Sequence, residues 1–532
     1  MSSILIKIIS LISSFIMFFT SPGGHIAGSI FSGFCPEYLD VDESYVPRSL
    51  GADVVDFKHP YLAEEGKNGM HSNSYNTGSY DFEGPTGKNT EINSKAMNLF
   101  GGLCATTMFD SKGRIMCISG NILGFRLLLL DPDTLDVICE TRLPQRASTV
   151  EAIKKFQFSK ISEDTSGGAY CHLLKGDKPI IGNSENVIQV FAVDESSGKP
   201  EWKIEKEWSV MNNLPEGSFI TDAIPDYDGN IWFVTRPGEV GYIENALSTE
   251  DKSDDVIHVI NLGDIQKSEN KEEIQNTLAV CDDGIYIVSD YAMYRFEIGQ
   301  NGDPIYTWRT EYDRGTTLKP GAINQGSGTT PTLLDCPVLD DGGKETGEIK
   351  HLVAITDNAD KQINVVIYER ETGKILGEVP CFTEGRSVSE NSLIAYGRSF
   401  IVENNYSEGG AAFLTLNPSS EQGVWRIDMN NDCTSAFVKW KSEEASCTVV
   451  PKLSTKNGLV YLYTREYGNG IPKSTVAWYF TAIDFRTGKT VFKVHTGNGI
   501  NWNNSYGPIT IGPDGTAYVG VFNGIISVKD AK

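Results

Sequence analysis

From Gly101 to the C-terminus, short apolar runs alternate with turns rich in Gly, Asp and Asn, and helical periodicity is nearly absent. The stretch LVAITDNADKQINVVIYERETGK, from Leu352 to Lys374, shows the unit. A continuous apolar run of strand length leads into polar residues, a second apolar run and a Gly-containing turn. Consecutive apolar positions predict a strand buried on both faces. Such units come in sets, each opening with a strand, a tight turn and a second strand that ends in polar residues. The first turns are FDSKGR, PDYDGN, CDDG, AYGR, STKNG and GPDG, around Gly113, Gly229, Gly284, Gly397, Gly458 and Gly515. Gly supplies the positive φ such hairpins need.

Sets begin near Cys104, Tyr170, Phe219, Leu278, Thr330, Leu393, Thr448 and Pro508, and the last has three obvious strands, ending at Lys529. This is the repeat signature of an all-β fold, a β-propeller of eight four-stranded blades whose ring is closed by an N-terminal strand. Seven blades is the alternative, because the end sets are the least regular. One helical turn is expected within residues 269–275.

The chain before Gly101 has another character. Residues 64–95 are rich in Asn, Ser, Gly, Tyr and Glu without apolar periodicity. Residues 21–100 therefore read as an irregular polar leader, ordered only if it drapes over a folded body, and 101–532 as the propeller. Residues 1–20 hold an apolar run from Ile4 to Phe19 containing Lys7. It fits a secretory signal peptide and is short for a membrane span. The expected location is secreted or lumenal; the alternative is membrane attachment through an uncleaved N-terminal anchor.

Charge narrows the partners. Lys plus Arg total 46 against 70 Asp plus Glu, a net charge of −24, which repels phosphate backbones and disfavours nucleic acid. The ten cysteines are scattered without a CxxC, compatible with an oxidising compartment, and several read as buried free thiols. Cys433 with Cys447 is the best local disulfide candidate. Sequons at Asn405 and Asn503 are glycosylation candidates if the chain is secreted.

A later turn follows A-x-D-x-x-[S/T]-G-K-x-x-W. Ala192, Asp194, Ser197, Gly198, Lys199 and Trp202 match throughout. Ala482, Asp484, Thr487, Gly488 and Lys489 match, with Phe492 for the Trp, and the copy at Ile367 keeps Thr372-Gly373-Lys374. The pattern resembles the blade motif of quinoprotein-like (PQQ-type) propellers. Asp and Ser/Thr tie the turn, Gly bends it, and the aromatic wedges between blades. The resemblance implies the architecture. Alcohol dehydrogenases of that family carry an adjacent cysteine pair over the quinone, and no Cys-Cys occurs here, so PQQ is not expected. PDYDGNIWFV, at 225–234, is similar to strands of gluconolactonase-like and lyase propellers.

In a propeller the ends of second strands and the starts of first strands meet at one mouth. The first group places Arg236, Asp290, Asp357, Asn358, Asp360, Glu403, Asn404, Asn405 and Arg465 there. The second adds Ser327, Thr330, Glu390, Asn391, Asn503 and Tyr506. Asp290, Asp357 and Glu403 are candidate general bases. Asp357, Asp360, Glu403 and Asn404 offer oxygens to Ca²⁺ or another divalent cation. Arg236 and Arg465 suit an anionic group, and Asn358, Asn391 and Asn503 a polar substrate. Asp226-x-Asp228-x-Asn230 reads as an ordinary turn on the opposite face. Most of the seven histidines are poorly placed for catalysis, His59 and His71 could reach the mouth only if the leader folds across it, and GxSxG, HExxH, P-loop and Rossmann fingerprints are missing.

The expected function is to bind a small polar or carbonyl-bearing molecule at that mouth, and to transform it by cation-assisted hydrolysis or lyase chemistry of lactonase-like type. The alternative is a non-catalytic scaffold for a protein partner, and the third reading a quinone-dependent dehydrogenase.

Overall fold

The run Leu352–Ile355 divides its side chains between two cores. Leu352 and Ala354 pack with Leu393, Phe400 and Val402 of the following sheet. Val353 and Ile355 pack with Tyr286, Val288 and Met293 of the preceding sheet. Each Leu, Val or Ile among them, taken from water, contributes about 1.5–3 kcal/mol. A strand that is apolar at every position thus sits between two neighbours, and repeating the arrangement stacks sheets around an axis.

The computed structural model describes residues 39–51, 58–64, 66–97, 102–121, 124–146, 168, 170–248, 255–266, 271–407, 421–467 and 476–531. They form eight antiparallel sheets in chain order, an eight-bladed β-propeller. Blades one to seven lie at 103–143, 172–209, 220–261, 279–311, 332–380, 394–442 and 452–498. Blade eight holds 509–530, and its fourth, outermost strand is Thr90–Ala96, paired from Thr90 with Asp530 to Ala96 with Gly524. Blade seven carries two additions, Ser79–Tyr80 parallel on its inner edge and Leu39–Val41 antiparallel on its outer edge. The sets read from the sequence begin within a few residues of these blades, and the seven-bladed alternative is set aside. The hairpin glycines behave as expected, with Gly397 at φ 64° and Gly515 at φ 83°.

Neighbouring blades are keyed by tryptophans. Trp308, on the outer strand of blade four, covers Gly373 of the T-G-K turn in blade five, and its Nε1 donates to Arg370 O at 2.8 Å. Trp440 of blade six repeats this on Gly488 of blade seven, donating to Phe485 O at 2.8 Å. A side chain at either glycine would collide with the indole, which explains the Gly in the motif.

One local expectation fails. The helix of this region is Leu262–Gln266, and residues 271–278 are irregular. Side-chain partners hold that segment out. The Glu272 carboxylate accepts from Ser289 Oγ (2.5 Å), Tyr294 Oη (2.7 Å) and Arg309 Nη2 (2.8 Å). The apolar run at 4–19 lies outside the described residues. Among the described residues no helix is long and apolar enough to cross a membrane.

Candidate functional site

Innermost strands leave an open edge of N–H and C=O groups facing the propeller axis. The leader fills it. Tyr61 and Ala63 pair with the inner strand of blade two, and Lys67 O accepts from Phe109 N of blade one. Carbonyls of Ser74, Tyr75, Thr77 and Gly78 then accept from Val280, Leu333, Ala395 and Leu453, one N–H from each of blades four to seven. The Asn76 side chain donates to Leu278 O and Pro331 O at 3.0 and 3.1 Å. The segment is thus ordered through hydrogen bonds rather than through an apolar stripe. It enters and leaves on the lower face, and its turn at His71 reaches the level of the mouth.

A second segment crosses the mouth from above. Residues 312–331, between blades four and five, are tied down by the very tetrad that opens the polar half of the repeat. Asp360 accepts from Thr316 N (2.8 Å) and Oγ1 (2.7 Å), Ala359 O accepts from Lys319 Nζ (2.5 Å), and Asn358 N donates to Asp313 O (2.9 Å). The Thr316 donors hold the Asp360 carboxyl below the usual carboxylate range. Across the ring, Tyr506 Oη donates to Gly321 O at 2.8 Å.

Most of the predicted mouth residues form a rim. Asp290 accepts from Arg314 Nη2 (2.7 Å) and Glu273 N (2.7 Å), and Arg236 Nε pairs with Glu273 at 3.2 Å. Asp357 takes both the backbone and the side-chain nitrogen of Asn364 at 2.6 Å. Burial raises Asp290 and Asp357 to about 6 each. Buried Arg465 donates to Ser407 Oγ at 3.1 Å, and Asn503 accepts from Ser505 N at 2.8 Å. Asn404 accepts from Val388 N and Tyr406 N and donates to Arg386 O.

Inside this rim lies a buried polar centre. Glu403 accepts from Asn391 Nδ2, from Asn405 Nδ2 (3.2 Å) and from Ser446 Oγ (2.6 Å). Glu390, 8% exposed, packs against Gly328 of the crossing loop and accepts from Gln275 Nε2 at 3.3 Å, leaving Oε1 without a partner. Asn391 Oδ1 and His71 Nδ1 are likewise buried and unpartnered. His71 Nε2 lies 3.4 Å from Thr330 Oγ1 and 3.5 Å from Ser392 Oγ. Lys452, 0% exposed, has one hydrogen bond, to Pro451 O at 3.3 Å. Burial lowers its amine to about 7, against the raising influence of Glu403. Burial likewise lifts Glu403 to about 7 and Glu390 to about 8, and depresses His71 well below its ordinary value. Beside the centre, His172 Nε2 sits 3.1 Å from both oxygens of Asp222, a satisfied pair.

The structure separates several expected groupings. Asp357, Asp360, Glu403 and Asn404 each have their own protein partners and do not converge. Among the described residues no three His, Cys, Asp or Glu side chains form a metal-like cluster. Cys433 meets Cys336 of blade five rather than Cys447; it lies at a lower-face hairpin, whereas Cys447 precedes the first strand of blade seven near the mouth. The sequon side chains Asn405 and Asn503 are 0% and 3% exposed, so neither amide is at the surface. Asp226 is an ordinary turn: its carboxylate accepts from Asp228 N, Asn230 N and Nδ2, and Trp232 Nε1.

Lys452 and Gln275 are not among the site residues read from the sequence, and His71 is expected at the mouth only if the leader folds across it, as it does here. A lone Lys inside the apolar first-strand run Val449–Leu453 was the available signal. For His71 the sequence offers only that condition, because its contacts lie 259 and 321 residues away.

The fold and this centre define the chain as an eight-bladed propeller with a plugged axis. No family model matches it. An uncharacterized protein of Archaeoglobus fulgidus is 28% identical over 353 residues, 60% of this chain and 63% of that protein, so the match spans less than two thirds of the relative. Among solved structures, quinohemoprotein alcohol dehydrogenase from Comamonas testosteroni superposes with a TM-score of 0.52 at 10% identity, over 88% of this chain and 81% of that one. Chaetomium thermophilum Sqt1, bound to the N-terminus of ribosomal protein L10, gives 0.43 at 12% identity, over 85% and 99%. At 10% identity the likeness to the dehydrogenase is one of fold.

Proposed function

We propose that the protein binds a small, polar, carbonyl-bearing molecule at the buried centre formed by Glu390, Asn391, Glu403, Lys452 and His71. One observation carries this reading: Glu390 Oε1, Asn391 Oδ1 and His71 Nδ1 are buried in one neighbourhood without partners. An unsatisfied buried polar atom costs about 1–3 kcal/mol, so such a group favours a ligand that completes it. The missing partners are mainly hydroxyl-type donors, and Lys452 supplies an amine that suits a carbonyl oxygen or carbon. A polyhydroxylated aldehyde, ketone or lactone combines both features. Two carboxyls poised near neutrality, Glu390 and Glu403, suit proton transfer to and from such a molecule. Cation assistance is left out of this reading because its four intended ligands are engaged elsewhere.

The test is calorimetric titration and thermal shift of the full chain against aldoses, sugar lactones and 2-oxo acids, alongside Glu390→Gln and Asn391→Ala. One class is expected to raise the melting temperature of the wild type, with at least tenfold weaker binding in each variant. No shift with any class, or binding indifferent to both substitutions, would overturn the assignment.

A further inference from the structure

Cys336 lies on the innermost strand of blade five, Thr332–Leu339, and Cys433 at the tip of the hairpin between strands Val424–Met429 and Ala436–Ser442 of blade six. Their Sγ atoms are 2.8 Å apart although the residues are 97 positions apart in the chain. The approach does not depend on a loose loop. Leu339 N donates to Asn431 O at 2.8 Å, and Asn431 Nδ2 to Asp340 O at 3.1 Å, so the two hairpins are docked to each other. Arg398 fastens the same junction, donating to Pro337 O, Met429 O and Asn430 O.

Two further observations single out this pair. Cys433 sits at φ 56°, in the left-handed region where Gly or Asn is the less strained choice. A cysteine held there needs a reason beyond the turn. The Arg398 guanidinium lies 3.5 Å from Cys433 Sγ, and the Cys336 thiol is placed to donate to it. The Cys336 hydrogen bond, aided by Arg398, brings the Cys433 thiol down to about 7, while Cys336 is pushed up. The guanidinium beside Cys433 favours that sulfur over Cys336 as the attacking thiolate. The Cys433 side chain is buried, but Asn431, Asp432 and Thr434 around it are exposed, which puts the pair just beneath the lower surface. Among the described residues a second close pair, Cys104 and Cys117 at 3.5 Å, lies within the apolar core between blades eight and one, and the Cys117 thiol is pushed up there.

We propose that Cys336 and Cys433 form a reversible disulfide joining blade five to blade six, with a low-molecular-weight disulfide as the oxidant. The Cys433 thiolate attacks one sulfur of the oxidant, forming a mixed disulfide and releasing one thiolate. Cys336 then gives up its proton and attacks the Cys433 sulfur, expelling the second half of the oxidant, which leaves as a thiol with that proton. Both cysteines are oxidised by one electron each, and the oxidant is reduced by two.

The test uses the full-length, reduced protein under native conditions with glutathione disulfide. After alkylation of the remaining thiols, non-reducing peptide mapping is expected to show one cross-link between the Cys336 and Cys433 peptides. The mass should be lower by two hydrogens and restored by dithiothreitol. Cys336→Ser should trap glutathione on Cys433, and Cys433→Ser should leave Cys336 unmodified. Oxidation of the wild type should also raise its melting temperature, a readout independent of whether the variants fold. Both cysteines remaining fully alkylatable, a cross-link to another cysteine, or a cross-link formed only in denaturant would overturn the proposal.

Discussion

Tyr506, just before blade eight, donates its hydroxyl to the carbonyl of Gly321 at 2.8 Å, so the loop that leaves blade four is fastened on the far side of the mouth. On the near side one of its fastenings is Asp360, which accepts twice from Thr316. Tyr506→Phe removes one hydrogen bond, about 1 kcal/mol, and should speed amide exchange across residues 315–325 roughly fivefold. Asp360→Ala should speed it further. Hydrogen exchange with mass spectrometry reads both, and Leu318, 59% exposed, should become a more frequent protease cleavage site in the same order.

Glu390 gives a pH signature. Its folded value is raised to about 8 by burial, whereas an unfolded Glu titrates near 4.3. Between these values the native state binds the extra proton, so this group's stabilising contribution is full below about pH 4.3 and is lost as pH rises toward 8. Glu390→Gln removes that loss. Denaturant melts at pH 5, 6.5 and 8 should show the variant gaining on the wild type at each step, by a few kcal/mol in all on the order of 1.4 per unit. A constant difference across the range would place the carboxyl in a polar, solvated setting.

Lys452 has the opposite sign. Its amine is lowered to about 7, so its contribution is full above the unfolded value of about 10.4 and is lost as pH falls toward 7. Lys452→Met should stabilise the fold by about 1–4 kcal/mol at pH 7.5, with the gain shrinking by pH 10. The same variant should lose ligand binding, which separates a costly functional amine from a structural one.

The seam between blade eight and blade one rests on Gly520. A Cβ there would overlap the carbonyl oxygen of Cys104, a backbone atom fixed in its own sheet. Gly520→Ala should cost about 1–3 kcal/mol through overpacking, seen as a lower denaturant midpoint. Ala at Gly113, where nothing lies within 4 Å but φ is 78°, should cost less.

How much of this was legible in sequence follows from the range of the forces involved. Blade count and blade starts came through because hairpin glycines and continuous apolar runs are local signals. Strand order fixes which turn faces the mouth, and that local rule is what assigns the turns carrying Asp290, Asp357 and Arg236. Their partners were not legible. Asp357 spends its carboxylate on Asn364, seven residues on, and Asp360 on Thr316, 44 residues back, so neither meets the other as a ligand. The centre was hidden because it depends on where the leader goes, and no periodicity in residues 66–80 specifies that.

The leader is made first and completed last. Gly84 receives its hydrogen bond from Asn457, 373 residues downstream, and Ser79–Tyr80 pairs with Leu453–Ser454. During synthesis this stretch must therefore stay available until blade seven has emerged, and the blades must assemble around it. The same length of chain then supplies Thr90–Ala96 to the outer edge of blade eight. The contacts that hold the plug to blade seven, and the strand it lends to blade eight, can therefore form only once the last two blades exist.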